Sequence, residues 1–492
     1  MPENKAIVHQ VSWYAGAYAA TQLVTVLAAI LTRRFLGPVQ VGVWALIQVI
    51  LSYAEYSTLG VANAIPREIP FYVGKGQIEK AASIKQNVLN FTFLMSFLLA
   101  AGIVVFAFSR KGHMNPELFY GLMIASGLVI LQQMNNVLIM LLRAFKKFTI
   151  AGNQMFLSAI VNALLVAFLS YRFRLYGFMW AMYLSFAFNI IYILCHEKFV
   201  FRFKFNVQLI RGLITYGFSL MILALLGTFV QTIDRIMITK FLGLEMLGIY
   251  SIAVMTNGFV FSFPNSVGVV LLPNVSEKFG KSENRHDLIN YLVESDNVFC
   301  VLMPVLIGFA WFLVPALINW VLPKFSHGIP ALKMLVLGSF FMAVSQAYGN
   351  FIIVIRKQMW IFPVVIVLML AALGLNYLAV TKGFGIVGVA VAQSIVAGLN
   401  FSLIFFITHF HLGAALQKSS YYAGILLKFV IMLASLLAID RYVRFSNSWI
   451  QTVVQCVLFL IIYTVPLMRL DRKYHLVKAI RNKLMPAKPL KP

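Results

Sequence analysis

The chain has 492 residues, of which 61% are hydrophobic and only 11% are Asp, Glu, Lys or Arg. Soluble domains carry about 25% charged residues, and a water-facing surface of this size cannot be built from so few, so a soluble enzyme or binding module is excluded and a multi-pass membrane protein is expected. Against 15 acidic residues stand 40 basic ones, a net charge of +25; in a soluble chain this would point to nucleic acid, but in a membrane chain it marks cytoplasmic loops, and no nucleic-acid partner is expected.

An apolar helical run of about 20 residues crosses the hydrocarbon core. Fourteen such runs are predicted, at 10–31, 41–63, 88–109, 117–142, 151–171, 176–195, 212–237, 246–270, 289–314, 330–355, 359–380, 384–408, 421–440 and 448–468. The connections between them leave no room for a soluble domain. The alternation of a membrane β-barrel is absent, so the fold class is all-α. The segment MPENKAIVHQ has a single Lys and no cleavable signal pattern, so the first apolar run is expected to be retained. Cys195, Cys300 and Cys456 lie far apart and cannot form a disulfide framework.

Sorting the basic residues by connection gives 26 on the side of the N-terminus and 13 on the other, with Lys428 inside span 13. The majority side is the cytoplasmic one. Localisation in the cytoplasmic (inner) membrane with both termini cytoplasmic follows.

The chain repeats itself. Phe35-Leu36-Gly37, Gly42 and Trp44 correspond to Phe241-Leu242-Gly243, Gly248 and Tyr250 at an offset of 206. Pro66 answers to Pro273, and Gly74-Lys75 to Gly280-Lys281. Gln132, Asn136 and Asn162 answer to Gln346, Asn350 and Asn376 at an offset of 214, and Tyr176-Gly177 to Phe384-Gly385. Each repeat therefore holds six spans. Because six is even, two parallel six-helix lobes are expected, related by an axis along the membrane normal with a site between them. The divisions are 1–205 and 206–412 for the lobes, 413–468 for two additional helices, and 469–492 for a basic cytoplasmic tail.

The repeat motifs TRRFLGPVQVGVWA (32–45) and Asp234-Arg235 through Lys240, Phe241-Leu242-Gly243, Gly248 and Tyr250, with Pro66-Arg67 and Gly74-Lys75, resemble the multidrug/oligosaccharidyl-lipid/polysaccharide exporter superfamily. The resemblance covers spans 1–12 and is nearest the polysaccharide-transporter branch, the flippases for lipid-linked oligosaccharide repeat units. It implies a two-lobed bundle working by alternating access. A polysaccharide or O-antigen repeat unit on its lipid would enter a central cavity from the cytoplasmic leaflet, and no covalent bond in it would change. The protein would then be no enzyme and need no cofactor, with H+, Na+ or the membrane potential available to drive it. Polysaccharide-assembly proteins are the further partners this implies. Two relatives stay open as alternatives: a lipid II-type flippase, which shares the fourteen-span layout, and a cation-coupled multidrug antiporter. Against the first, span 1 lacks the cationic residues usual there. For the second, Glu55 could supply the buried carboxylate of an N-lobe helix.

Charges inside spans are costly and mark candidate sites. Thr228, Gln231 and Asp234 recur every three residues on one helix face; Gln22 and Thr25 are the matching polar residues of span 1. The stripe either lines the cavity, with Asp234 or Arg235 touching substrate or a coupling ion, or places these charges where they snorkel to the interface. Glu55 shares a face with Ser52 and Thr58, as a proton-coupling acid or a bonded structural one. Arg143, Lys146 and Lys147 close span 4, and Arg356-Lys357 close span 10. These cations would suit a pyrophosphate or act as ordinary anchors. Asn136, Asn350, Asn162 and Asn376 are repeat-related amides fit either for helix–helix bonds or for sugar hydroxyls. Tyr14 and Tyr18 could stack on sugar or pack at an interface.

Several motifs lead nowhere. Gly280-Lys281-Ser282 lacks the earlier glycine of a phosphate-binding loop, since that place holds Val275. His409 and His411 lack further ligands, so no metal site is predicted. The sequons at Asn90 and Asn274 fall at a span head and in a cytoplasmic loop. In the tail, Leu476, Ile480 and Leu484 lie beside Lys478, Arg481 and Lys483, which predicts either a short amphipathic helix on anionic membrane lipids or a disordered basic tail.

Overall fold

Glycine and proline set where the long apolar runs bend. In the computed structural model, helix α1 (Pro2–Ala54) carries the first two predicted spans and is folded at Gly37, whose φ is 76°. Pro38 follows, and its missing N–H and its ring prevent a regular helix at that point, while glycine takes the left-handed conformation without penalty. The remaining helices are α2 (Ile65–Gly74), α3 (Ile78–Ser109), α4 (Pro116–Ala144), α5 (Phe148–His196), α6 (Val207–Phe241), α7 (Gly243–Ser282), α8 (Arg285–Val321), α9 (Ile329–Val354), α10 (Ile361–Thr381), α11 (Gly385–Leu412), α12 (Lys418–Tyr442) and α13 (Ser448–Tyr474). The structure describes residues 2–113, 115–197, 205–282, 285–355, 357–412 and 418–474, with the side chains of 2–19, 23, 266–288, 290–291, 358, 412, 418–419 and 469–474 outside that description. Tyr14, Tyr18, Lys281, Arg356 and the tail from 475 onward therefore lie outside it.

Among the described residues, twelve helices are long and apolar enough to cross a membrane. Two of them are double: α1, and α5, which is folded at Arg174 with φ 50° and ψ −128°. A positive φ at a residue with a side chain is rare, and this one falls in the gap between the predicted spans 151–171 and 176–195. Twelve helices with two internal folds give the fourteen predicted spans. Among the described residues there is no strand, and the chain is an all-α membrane protein.

The second span ends earlier than predicted. Its helix stops at Ala54 and gives way to 3₁₀ turns at Glu55–Thr58 and Ala62–Ala64. Between them Leu59 and Gly60 both have positive φ. Gly60 lies against the backbone of Gly217 in α6, where an added Cβ would sit 2.4 Å from the Gly217 carbonyl. Glu55 therefore opens a 3₁₀ turn that runs on from α1, with Thr58 three residues later on the same turn.

Contacts divide the chain into two units, one up to Ser251 and one from Ile252. This is a boundary of packing and falls within α7, whereas the repeat boundary near 205 is one of sequence. In the first unit, α6 packs on α1, α3 and the 3₁₀ turns. Its core includes Val61, Ile65, Ile69, Ile84, Leu138 and Ile193, all fully buried. In the second unit, α9 packs against α8 and α11, and α13 against α8. Trp311, Phe340, Tyr348, Phe401 and Phe405 form its buried aromatic core. Lys333 and Asp440 join α9 to α12 by an ion pair of 2.8 Å. Phe168, Leu370, Leu427 and Val453 are more than half exposed, as lipid-facing side chains are.

The repeat shows directly in the backbone. Gly243, the partner of Gly37, also has a positive φ, of 87°. Within the first unit the two motifs also pack reciprocally. Gly42 faces the carbonyl of Leu244, and Gly248 faces the carbonyl of Pro38. At an offset of 206, Pro38 corresponds to Leu244 and Gly42 to Gly248, so each contact is the image of the other. The amides repeat as well: Gln132 of α4 bonds the Glu55 carboxylate, and its counterpart Gln346 of α9 donates to Asn265 Oδ1 of α7 at 3.1 Å.

Candidate functional site

Polar side chains at every fourth position of a helix project from one face. Three helical segments of the first unit carry such stripes. Along α4 they are Asn135 and Arg143, with Ile139 between. Along the first half of α5 they are Gln154, Ser158 and Asn162; along its second half, Ser185 and Asn189. The fold at Arg174 turns the two halves of α5 so that both stripes, with Thr21 and Thr25 of α1 and the α4 stripe, line one cavity of 240 Å³. Met155, Met182 and Phe186 supply its apolar walls. Ser185 Oγ donates to Asn162 Oδ1 at 3.2 Å, and Thr25 Oγ1 to the Thr21 carbonyl at 2.8 Å. Gln154 is 2% exposed, and Asn135 and Asn189 are each 5% exposed. The Oδ1 atoms of Asn135 and Asn189 have no hydrogen-bond partner. Arg143 stands in the last turn of α4, exposed.

Buried amides and hydroxyls can both donate and accept, which suits a ligand rich in hydroxyl groups. Methionine and aromatic walls suit its C–H faces. An arginine at the rim suits an anion. The cavity includes three residues read from the sequence as candidates, Thr25, Arg143 and Asn162. It adds Asn135, Gln154, Ser158 and Asn189, which sequence reasoning passed over. The signal for Gln154 and Ser158 was their i, i+4, i+8 spacing with Asn162 inside an apolar run.

A second group of candidates meets where α1 breaks. Glu55 accepts hydrogen bonds from Asn136 and Gln132 of α4. Tyr56 donates to the Ala224 carbonyl of α6 at 3.0 Å and is 2.5 Å from Thr228 Oγ1. Thr232 donates to the Thr228 carbonyl, so at 2.8 Å it accepts from Tyr53. Thr228 thus faces the turn that holds Glu55, and the two share Tyr56's neighbourhood.

The rest of the α6 stripe goes elsewhere. Gln231 is exposed. Asp234 is 4% exposed, accepts from Tyr250 Oη of α7 at 2.9 Å, and accepts from the backbone N–H of Arg235 at 2.7 Å. Arg235 is half-buried, with its Nε lacking a partner. A different cation, Arg33, bonds the Ser251 carbonyl at 3.1 Å. Gln22 is half-buried on α1, and Asn350 half-buried on α9. Among the described residues no group of three or more His, Cys, Asp or Glu is placed to hold a metal ion; His409 and His411 each bond the carbonyl four residues earlier through Nδ1. Tyr250→Phe removes the bond to Asp234 without opening a cavity, and is expected to lower stability by about 1.5–3 kcal/mol. Thermal unfolding of the purified protein checks this, and an unchanged transition would show that the bond is not formed.

Fourteen apolar spans, a backbone break repeated at two glycines and a polar cavity set among the helices define a multi-pass helical membrane protein. Residues 7–279 match the family model described as "Polysaccharide biosynthesis protein". That is more than half of the chain, and the chain belongs to this family. An uncharacterized membrane protein of Methanocaldococcus jannaschii is 24% identical over 418 residues, which is 80% of this chain and 82% of that one. Among solved structures, the fold is similar to the lipid II flippase MurJ in an inward closed conformation, with a TM-score of 0.71, 16% identity, and coverage of 94% of this chain and 99% of that one. It is similar to an inward-facing multidrug resistance MATE family transporter of the MOP superfamily, with a TM-score of 0.69, 15% identity, and coverage of 81% and 96%. A MOP superfamily transporter from Pyrococcus furiosus gives a TM-score of 0.61 at 15% identity over 83% of this chain and 95% of that one. At these identities the likeness is one of fold, and that fold is the one expected from the repeat motifs.

Proposed function

We propose that the protein is a flippase that carries a lipid-linked oligosaccharide, a polysaccharide or O-antigen repeat unit, across the cytoplasmic membrane by alternating access. It makes and breaks no covalent bond in its substrate. The observation that carries this reading is the cavity of the first unit, with buried amides and hydroxyls along three helical stripes and Arg143 in its rim. Amides and hydroxyls meet the sugar; Arg143 meets the phosphate of the lipid carrier through charge-assisted hydrogen bonds. The distribution of basic residues, 26 against 13, supports cytoplasmic termini, and puts Arg143 on the side from which the substrate arrives. The basic tail then faces anionic lipids of the inner leaflet. The same side is open to polysaccharide-assembly proteins. No cofactor is needed; a gradient of H+ or Na+ or the membrane potential supplies the drive.

The test is complementation of a strain that lacks this protein. Wild-type protein is expected to restore surface polysaccharide and clear the accumulated lipid-linked intermediate. Arg143→Lys keeps the anchoring charge but loses the planar fork, so it separates the two roles of this residue. Transport is expected to fall about ten-fold in Arg143→Lys, the equivalent of about 1.4 kcal/mol, and further in Arg143→Glu, at unchanged protein level. Full display with both variants would remove Arg143 from the site. Drug resistance restored without surface polysaccharide, or clearance of a cell-wall precursor in its place, would overturn the substrate.

A further inference from the structure

The second unit holds a buried acid that the cavity of the first does not use. Asp296 of α8 is 1% exposed. Its Oδ2 accepts two hydroxyl hydrogen bonds, from Tyr348 of α9 at 2.5 Å and from Tyr421 of α12 at 2.7 Å. Its Oδ1 has no hydrogen-bond partner. Four further titratable groups surround it. Cys300 follows one turn later on α8, and Lys428 of α12 lies close enough to act electrostatically on both Asp296 and Cys300. The ring of His409 on α11 lies 6.1 Å from that of Tyr348 and 6.4 Å from that of Tyr421, and stacks at 3.9 Å on Phe405. Tyr463 of α13 lies within electrostatic reach of Cys300.

A carboxylate kept only for structure has both oxygens bonded, because an ionised oxygen buried without a donor is costly. Asp296 has one saturated oxygen and one bare. A proton on Oδ1 removes that charge and leaves both hydroxyl bonds on Oδ2 in place, so the two protonation states need no rearrangement of Tyr348 or Tyr421. A metal cation fits poorly: it would need several oxygen ligands, Tyr348 and Tyr421 already point their hydrogens at the carboxylate, and Lys428 would repel it. Lys428 follows Tyr421 by seven residues on α12, two helical turns along the same face. Adding a proton to Asp296 therefore takes away the charge that faces this lysine.

We propose that Asp296 is a proton-binding site of the second unit, taking up and releasing one proton on Oδ1 and thereby switching the electrostatic hold of α8 on Lys428 of α12. The site rests on the geometry of the second unit alone, and it stands or falls independently of the oligosaccharide reading. Infrared difference spectroscopy on the full-length protein in liposomes, stepped from acid to alkaline pH, tests it without a substrate. The expected result is a carboxyl C=O band that appears on the acid side and is lost in Asp296→Asn. Its frequency shifts in Tyr421→Phe, which removes one bond to Oδ2, and Lys428→Met displaces the pH at which it appears. These two variants keep the test decisive should Asp296→Asn fail to fold. A spectrum unchanged in Asp296→Asn at every pH would overturn the proposal. So would an Asp296 band of constant strength across the range, or a wild-type band indifferent to both Tyr421→Phe and Lys428→Met.

Discussion

Gly42→Val is expected to cost the folded protein most of its stability, and Gly248→Val to do the same. An ideal Cβ at Gly42 would lie 1.8 Å from the carbonyl oxygen of Leu244 and 2.7 Å from its carbon; at Gly248 it would lie 1.8 Å and 2.7 Å from the same atoms of Pro38. These neighbours are backbone, held within α7 and α1, so no side chain can swing away. Restoring ordinary contact would require the two helices to part by more than an ångström along their whole interface. Overpacking of a core costs about 1–3 kcal/mol where side chains can adjust, and here the adjustment falls on two helices at once. The control is Gly102→Ala in α3, where nothing lies within 4 Å of an added Cβ. That change is expected to be neutral or to raise stability by up to about 1 kcal/mol. Thermal unfolding in detergent, with the fraction of monodisperse protein, reads all three. Equal transitions for Gly42→Val, Gly248→Val and Gly102→Ala would show that the reciprocal contact is not formed.

Hydropathy made the fourteen spans legible because crossing a membrane demands apolar runs of a set length. The repeat was legible at Phe35-Leu36-Gly37 and Phe241-Leu242-Gly243 because a left-handed residue and a close helix contact both require glycine. The break at Arg174 was legible as the gap between the runs 151–171 and 176–195, but its left-handed residue was not, because arginine carries no turn signal. Nor was the end of the second span at Ala54, since AEYSTLGVANA is apolar enough to continue a helix and is stopped by the approach of α6 at Gly217. Helix spacing assigned Thr228, Gln231 and Asp234 to one face, but spacing names no neighbours. Thr228 meets Tyr56, Gln231 is exposed and Asp234 meets Tyr250. The cavity shows the same boundary from the other direction. Thr25, Arg143 and Asn162 could be picked out by charge or by repetition. Asn135 and Asn189 were amides in apolar runs, and only the fold that brings α1, α4 and both halves of α5 together gives them a common direction.

Asn135→Leu with Asn189→Leu is expected to abolish transport while leaving stability unchanged or higher. Both amides are buried, both face the same cavity, and each has an Oδ1 without a partner. A buried polar group without a hydrogen bond costs about 1–3 kcal/mol, and leucine of similar volume removes that cost. A residue kept for packing would not be expected to carry such a penalty; one kept for a ligand would, because the penalty disappears when a hydroxyl of the ligand bonds the amide. The two readouts therefore move in opposite directions under the proposed role. Surface polysaccharide in a complemented deletion strain is expected to drop more than ten-fold, the equivalent of more than about 1.4 kcal/mol lost from the transport step. The thermal transition of the same purified protein is expected to hold or rise. A fall in both would make these amides part of the helix packing. Intact transport with raised stability would remove the cavity of the first unit from the path of the substrate.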